Sequence, residues 1–221
     1  MQFMFRSNPI LRPATRGFLL ALLLIASSRV STEGFAQAPA ETRAKSPAAA
    51  PPLETVLAGM DEAAGRFTSV AGDLEYTKVT VIVDDHSTEK GKIYFEKGKG
   101  GKPHVMIAFE DPAEKYVLFE DGKVSLYHPK IAEVEEYQLA NNEGLIEQFL
   151  LLGFGTSGSE LQKSYKVSVK GEEAVDGQEA VHLDLVPKNQ NVAARLQHIE
   201  LWLSPQTWQP LQQVFYEPSK D

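Results

Sequence analysis

The chain has 221 residues, of which 43% are hydrophobic and 24% charged, and it carries a formal net charge of −8 with no cysteine. The absence of cysteine excludes disulfide scaffolds, thiol catalysis, and iron–sulfur or cysteine-ligated zinc sites. The acidic balance disfavours a nucleic-acid partner, because a phosphate backbone is bound by a basic surface. Length and composition indicate a globular protein with one main domain.

The chain begins with the pattern of a secretory signal peptide. Arg6, Arg12 and Arg16 precede a short apolar run over 17–26, and small residues follow it. The run is shorter than the roughly 20 residues that cross a bilayer, which disfavours a permanent membrane anchor. We therefore predict that this segment directs export.

Small residues after the apolar run predict where the signal peptide ends. Cleavage after Ala36 gives a signal peptide over 1–36, and cleavage after Ala38 is the alternative. Residues 1–36 contain four arginines and one glutamate, so the remaining chain carries a net charge of −11. A lipoprotein signal needs a cysteine just after the cut, and the chain has none. The expected product is soluble and exported.

A tether precedes the folded domain. Residues 37–52 are rich in proline and alanine, which cannot build a core, so we interpret them as a linker. The domain then covers 53–221. The spacing of Val56, Met60 and the apolar residues around them predicts that it opens with a helix over 53–67.

Short alternating runs after this helix predict an antiparallel sheet. Asp121-Gly122 and Asp176-Gly177 are typical of hairpin turns, because glycine accepts the positive φ that tight hairpins require. The predicted strands are 73–84, 88–97, 103–110, 115–120, 123–128, 133–138, 164–170, 179–187, 196–203 and 210–216.

Alternation along these strands places apolar side chains on one face of the sheet. The residues on this face include Ile93, Phe95, Val105, Ile107, Phe109, Val117, Phe119, Val124, Leu126, Leu183 and Leu201. The face lines a concave cavity in one interpretation. In the other, it belongs to an ordinary sheet packed on its own helices.

A second helix is predicted from residue 142, and it ends at Gly153 and Gly155. Its apolar residues cover most of its circumference and include Leu145, Ile146, Phe149, Leu150 and Leu152. Such a helix is too apolar for a surface, so it either lies buried in the core or plugs a cavity.

The glycines from Gly153 to Gly158 match the spacing of a dinucleotide-binding loop. That chemistry requires the glycines to follow a strand and open a helix, so that the phosphates meet free amide groups. Here they follow a predicted helix, and we expect strands next. The motif therefore indicates no cofactor.

Polar motifs elsewhere do not assemble into a catalytic or metal site. Asp84-Asp85-His86 is interpreted as a solvated hairpin tip, because adjacent strand residues point to opposite faces and no second cluster completes a metal shell. No Gly-x-Ser-x-Gly nucleophile loop is present. The histidines are expected on separate strands or tips, at positions 86, 104, 128, 182 and 198. We expect neither enzymatic activity nor a bound metal.

Several motifs follow one another in an order that resembles the bacterial outer-membrane lipoprotein carrier family LolA. The resemblance covers about 53–221 and depends on the order of the motifs, since none is specific alone. The motifs are GKIYFEK at 91–97, PHVMIAFEDP at 103–112, YVLFEDG at 116–122, LYHP at 126–129, VEEY at 134–137, LWLSP at 201–205 and WQPLQQV at 208–214.

The resemblance implies an α+β fold, mainly antiparallel β: an unclosed β-barrel, or half-barrel, with a helical lid over an apolar cavity. The apolar face described above would then bind acyl chains. Leu145, Ile146, Phe149 and Leu150 would belong to the lid. The family typically has an Arg-Pro pair whose arginine bonds the lid, and here Lys97-Gly98 takes that place, so a differently held lid is expected.

The family also implies a function and partners. The protein would be a monomeric periplasmic chaperone without a cofactor. It would receive lipidated lipoproteins from an inner-membrane ABC-type lipoprotein-releasing complex and pass them to an outer-membrane acceptor. The alternatives are a periplasmic sensor or binding protein for other lipids or hydrophobic ligands on the same fold, and a hydrolase. Relatives usually add one more strand after the last one predicted here, so we expect either that this chain is a truncated product or that its last edge is open.

Overall fold

The computed structural model describes residues 2–9, 50–98, 102–139 and 152–218. The helices within these residues are α1 (Leu53–Arg66), α2 (Gly158–Ser164) and α3 (Gln190–Ala193). The strands are β1 (Gln2–Pro9), β2 (Ser69–Thr80), β3 (Asp85–Lys97), β4 (Pro103–Asp111), β5 (Lys115–Glu120), β6 (Lys123–His128), β7 (Glu133–Gln138), β8 (Tyr165–Val175), β9 (Gln178–Pro187), β10 (His198–Leu203) and β11 (Pro210–Tyr216).

The strands form one antiparallel sheet in the order β7-β6-β5-β4-β3-β2-β1-β11-β10-β9-β8. Within the described residues, the outer edges of β7 and β8 pair with no further strand, so the sheet does not close into a barrel. This confirms the predicted fold class, an α+β protein with an unclosed antiparallel sheet.

The predicted strands agree with the observed ones to within a few residues over most of the domain. The largest difference is in β8, which continues to Val175 instead of ending at residue 170. Asp121 and Asp176 have positive φ angles, as does the glycine that follows each, so both predicted hairpin turns are present. The alternation of side chains and the turn chemistry were sufficient to locate these strands.

The strand β1 was not predicted, because its residues lie within the expected signal peptide. It pairs with β2 along its whole length, from Gln2 opposite Val79 to Pro9 opposite Gly72. Its first part pairs with β11 on the other side. In the full chain, β1 therefore covers the edge of β11 that was expected to be open, and it joins the six strands β2–β7 to the four strands β8–β11.

Helix α1 covers the inner face of the β8–β11 half. Val56 and Met60 are buried one turn apart, and both belong to the apolar cluster formed with β9 and β10. A Cβ atom at Gly59 would lie 2.2 Å from Cε2 of Trp208, so only glycine lets the indole ring approach the helix this closely. None of the described helices has the length and apolar character needed to cross a bilayer.

The inner face carries two separate apolar clusters. One is built on β8–β10 and is covered by α1, α2 and the segment that begins at α3. The other is built on β2–β5 and includes Phe154, which comes from the turn before α2. A third cluster, with Trp202 and Val214, lies on the opposite face of the β8–β11 half, since neighbouring strand residues point to opposite sides.

The glycine motif before α2 has a structural role. The expectation that strands follow Gly158 is wrong, since α2 begins there. Its first turn is closed by its own side chains: the Oγ of Ser157 accepts from the backbone N–H of Glu160 at 3.1 Å, and Glu160 Oε2 accepts from the N–H of Ser157 at 3.2 Å. A Cβ at Gly158 would lie 2.4 Å from the carbonyl oxygen of Leu57 in α1, so this glycine is required for helix packing.

Candidate functional site

A cavity of about 510 Å³ lies between the two inner apolar clusters. Its walls come from β2, β3, β4, β5 and β11, and from residues 195 and 196 just after α3. The residues that line it are Leu74, Tyr76, Glu89, Ile107, Phe109, Lys115, Val117, Phe119, Arg195, Leu196, Gln213, Phe215 and Glu217. Its volume falls in the range of about 300–1,000 Å³ that is usual for small-ligand sites.

The register of β3–β6 explains why its apolar residues share one face. Directly opposed residues of neighbouring antiparallel strands lie on the same side of a sheet. One such row across these strands is Ile93, Ile107, Val117 and Leu126, and the next is Phe95, Val105, Phe119 and Val124. Each of these nonpolar residues was assigned to the inner face from alternation alone.

Only part of the predicted acyl-binding set lines the cavity. Ile107, Phe109, Val117 and Phe119 do so. Ile93, Phe95 and Val105 lie in the same apolar cluster, where they are buried beneath their neighbours. Val124 and Leu126 lie on the same face by register, but they belong to β6, beyond the cavity wall.

The placement predicted for Leu183 and Leu201 needs correction. Both are completely buried in the cluster on β8–β10, packed with Val56 and Met60 of α1, and neither lines the cavity. The alternation correctly places them on the inner face, but helices cover that half of the sheet. The interpretation of a sheet packed on its own helices therefore holds for one half, and the cavity interpretation for the other.

Several residues that line the cavity were not predicted from the sequence. Leu74 and Tyr76 share the parity of the inner face of β2, and Gln213 and Phe215 share that of β11. Alternation could have identified these four. Leu196 had no such signal, because it follows a short helix rather than lying on a strand.

Charged groups gather at one end of the cavity. Lys115 Nζ donates to both carboxylate oxygens of Glu89, at 2.7 and 2.9 Å, and lies 4.6 Å from the centre of the Phe109 ring. Both side chains of this ion pair are 25% exposed. A ligand with a polar head and an apolar tail would find matching surroundings at the two ends of this space.

Tyr76 stays a neutral phenol well above neutral pH. Burial, together with the nearby carboxylates of Glu89 and Glu217, raises the pKa of Tyr76 to about 12. Its hydroxyl therefore remains able to donate a hydrogen bond at the polar end of the cavity.

A hydrogen bond from Gln213 of β11 connects the turn before α2 to the sheet. Gln213 is 1% exposed, and its Nε2 donates to the carbonyl oxygen of Leu152 at 2.6 Å. Gly153 and Gly155 both have positive φ angles, which turn the chain so that Phe154 enters the cluster on β2–β5. This turn lies directly after the predicted lid segment.

The predicted lid lies outside the described residues, apart from its attachment points. Leu145, Ile146, Phe149 and Leu150 all belong to that undescribed part, so their role remains a prediction. Lys97, which takes the place of the family's lid-bonding arginine, is exposed at the end of β3. Its backbone N–H donates to the carbonyl oxygen of Thr68 at 2.8 Å.

The five histidines lie on five separate strands, as expected, and two of them, His182 and His198, contact carboxylates on the outer face of the β8–β11 half. His182 stacks on Trp202 at 4.2 Å and faces Glu173, with Nδ1 2.9 Å from Oε1. His198 Nδ1 lies 2.7 Å from Oδ1 of Asp184. Among the described residues, no group of three or more acidic or histidine side chains is arranged to hold a metal ion.

Comparison with known proteins gives similarities only among solved structures. No protein-family model matches the chain, and no curated protein does. A crystal structure of MucB is 20% identical, with a TM-score of 0.45, and the match covers 76% of this chain and 61% of that one. The chain thus spans about three fifths of the MucB structure.

Two further structures are described in terms that match the resemblance found in the sequence. A putative outer membrane lipoprotein-sorting protein domain from Vibrio parahaemolyticus is 18% identical, with a TM-score of 0.40, covering 75% of this chain and 73% of that one. A LolA superfamily protein from Nitrosomonas europaea is 15% identical, with a TM-score of 0.35, covering 78% and 74%. Since all three TM-scores are below 0.5, the function of this chain has to be inferred from its own cavity.

Proposed function

We propose that the protein is an exported carrier that holds the acyl chains of lipidated polypeptides in the cavity between its two apolar clusters. The observation that carries this proposal is the cavity of about 510 Å³, whose walls are mainly aliphatic and aromatic and whose charged groups lie at one end. An acyl chain fits the apolar walls, and its polar attachment point fits the end with Glu89 and Lys115.

The energy of acyl burial is sufficient for this role. Each buried methylene contributes about 0.8 kcal/mol, so an acyl chain of about sixteen carbons contributes roughly 12 kcal/mol when it is fully buried, which corresponds to nanomolar binding. Partial burial gives weaker binding, which a carrier needs in order to release its cargo. In the proposed cycle, the protein works in the periplasm between an inner-membrane ABC-type releasing complex and an outer-membrane acceptor.

A second candidate is a periplasmic binding protein or sensor for single-chain lipids. The size of the cavity favours it, because the volume is typical of a site for one small ligand. Titration with palmitate and with a triacylated lipopeptide separates the two candidates. Tighter binding of the lipopeptide supports the carrier, whereas binding of palmitate alone supports the second candidate.

Filling the cavity tests whether it is the binding site. Val117→Trp places an indole in the cavity, and Leu118→Trp is a matched control, because the next residue of β5 lies on the opposite face. We expect Val117→Trp to weaken the binding of a fluorescent fatty acid at least tenfold and Leu118→Trp to leave this binding unchanged. Equal binding by both variants would show that the lipid binds elsewhere, and the proposal would then be wrong.

A further inference from the structure

The strand β1 occupies a position that the sequence predicts to be vacated on export. Gln2–Pro9 lies within the expected signal peptide, yet it is paired with β2 on one side and with β11 on the other. Among the described strands, nothing else connects β2–β7 with β8–β11. Because neighbouring strands are spaced by about 4.8 Å, removal of β1 leaves a gap about 10 Å across between β2 and β11.

The edges of this gap are ready to pair with another strand. In the described fold, residues 72–79 of β2 and 212–216 of β11 pair with β1. Without a partner, the backbone N–H and C=O groups that point into the gap lose their hydrogen bonds. An unpaired strand edge is a template for an added extended chain, and here two such edges face each other.

The gap and the cavity share their walls. Leu74 and Tyr76 of β2 and Gln213 and Phe215 of β11 all line the cavity. Residue 5 of β1 pairs with Tyr76 of β2 on one side and with Gln213 of β11 on the other. A strand in this gap would direct every second substituent into the cavity, since substituents alternate between the two faces.

We infer that, in the exported protein, this gap takes the extended segment next to the acylated residue of a lipidated polypeptide as an added strand. The backbone of the cargo is held by β2 and β11, while its acyl chain enters the adjoining cavity. This inference rests on the proposed function and adds a polypeptide contribution to it. It predicts that cargo lipidated on a polypeptide binds more tightly than a free fatty acid does.

The test compares three probes on the protein purified from the periplasm after export of the full chain, with its N-terminus determined by mass spectrometry. The probes are palmitate, a ten-residue peptide with an N-terminal palmitoyl group, and the same palmitoyl peptide with alternate backbone nitrogens methylated. Methylation removes the donors needed for strand pairing and leaves the acyl group unchanged. The control protein is the full chain purified from the cytoplasm without export, which keeps Gln2–Pro9.

We expect the exported protein to bind the unmodified palmitoyl peptide at least tenfold more tightly than the methylated one. The full chain with its N-terminus retained is expected to bind the two peptides alike, and both proteins are expected to bind palmitate. Hydrogen exchange provides a second measurement: the amides in 72–79 and 212–216 that point into the gap, rather than toward β3 or β10, should gain protection with the unmodified peptide only.

Three results would overturn the inference. They are equal binding of the two peptides by the exported protein, an exported protein that retains residues 2–9, and protection, without peptide, of the amides in 72–79 and 212–216 that point into the gap. If palmitate binds in these cases, the cavity proposal stands and only the added strand is rejected. If palmitate fails to bind as well, the proposed function is rejected and the inference falls with it.

Discussion

Truncating one side chain in each half of the inner face should distinguish the half that borders the cavity, on β2–β5 (the hollow half), from the half that is covered by helices, on β8–β10 (the packed half). Ile107 on β4 is 6% exposed and lines the cavity, whereas Leu183 on β9 is 0% exposed within the cluster covered by α1. Ile107→Ala and Leu183→Ala each remove three side-chain carbons. Such substitutions in a core cost about 2–5 kcal/mol, and the cost rises with the volume of the void that the truncation leaves behind.

The difference in surroundings sets the expected magnitudes. Leu183 is enclosed by packed neighbours, so Leu183→Ala should lower the free energy of unfolding by about 4 kcal/mol. Ile107 already borders an empty space, so Ile107→Ala sacrifices less dispersion energy and should cost about 2 kcal/mol. Ile82→Ala is the exposed control: Ile82 is 86% exposed at the tip between β2 and β3, and its truncation should change stability by less than about 0.5 kcal/mol.

Urea titration at pH 7 measures these three free energies, and an unchanged slope shows that the unfolded state is comparable among the variants. Fatty-acid binding provides the second comparison. Ile107→Ala should weaken binding by about 5- to 30-fold, corresponding to about 1–2 kcal/mol, and Leu183→Ala should leave it unchanged. If Ile107→Ala destabilises the protein as much as Leu183→Ala does, or if Leu183→Ala weakens binding more, the assignment of the hollow half is refuted.

Three further predictions concern buried groups. The hydroxyl of Tyr165 is buried with no partner in the described residues, and burial raises the pKa of Tyr165 to about 12. Because this pKa is higher in the folded protein than in the unfolded chain, the contribution of Tyr165 to stability is complete below pH 10 and is lost as the pH rises to 12. Tyr165→Phe should therefore leave stability at pH 7 unchanged or slightly higher. Thermal unfolding between pH 9 and 12 should show that the variant loses less stability than the wild type, in which this group accounts for a loss of at most about 3 kcal/mol. A steeper loss of stability in the variant would contradict this. Gln213→Ala leaves the buried carbonyl of Leu152 unpaired and should cost about 1–3 kcal/mol in urea titration, so a neutral effect would show that the hydrogen bond is not needed. Gly158→Ala should lower the melting temperature, because its Cβ would overlap α1. Gly65→Ala, whose Cβ would meet nothing within 4 Å, should raise the melting temperature, because alanine has the higher helix propensity. Equal shifts in the two variants would contradict the packing argument.

The strands could be predicted because their information is local. In β4, Val105, Ile107 and Phe109 alternate with less buried residues, and the turns at Asp121 and Asp176 mark where neighbouring strands reverse. These signals need no knowledge of the rest of the chain. They located the strands of the domain to within a few residues and placed the apolar residues of β3–β6 on the inner face.

What covers each face could not be predicted, because it depends on distant parts of the chain. Leu183 and Ile107 have the same alternation, but α1 lies over the first and a cavity over the second. The placement of β1 was missed for a related reason. Its partners lie far away in the sequence, and the arginines and the apolar run that follow Gln2–Pro9 are typical of a segment that is removed.

The division of the inner face into two halves suits a protein that must both stay folded and release a ligand. A carrier cannot bury an acyl chain completely, since roughly 12 kcal/mol of apolar burial would hold it at nanomolar strength. If about half of the methylenes are buried, the gain is about 6 kcal/mol, and the dissociation constant lies between millimolar and micromolar. The cluster on β8–β10, covered by helices, stabilises the domain whether or not a ligand is present. The cavity beside it can therefore stay incompletely filled without unfolding the protein, which is the physical condition for repeated loading and release.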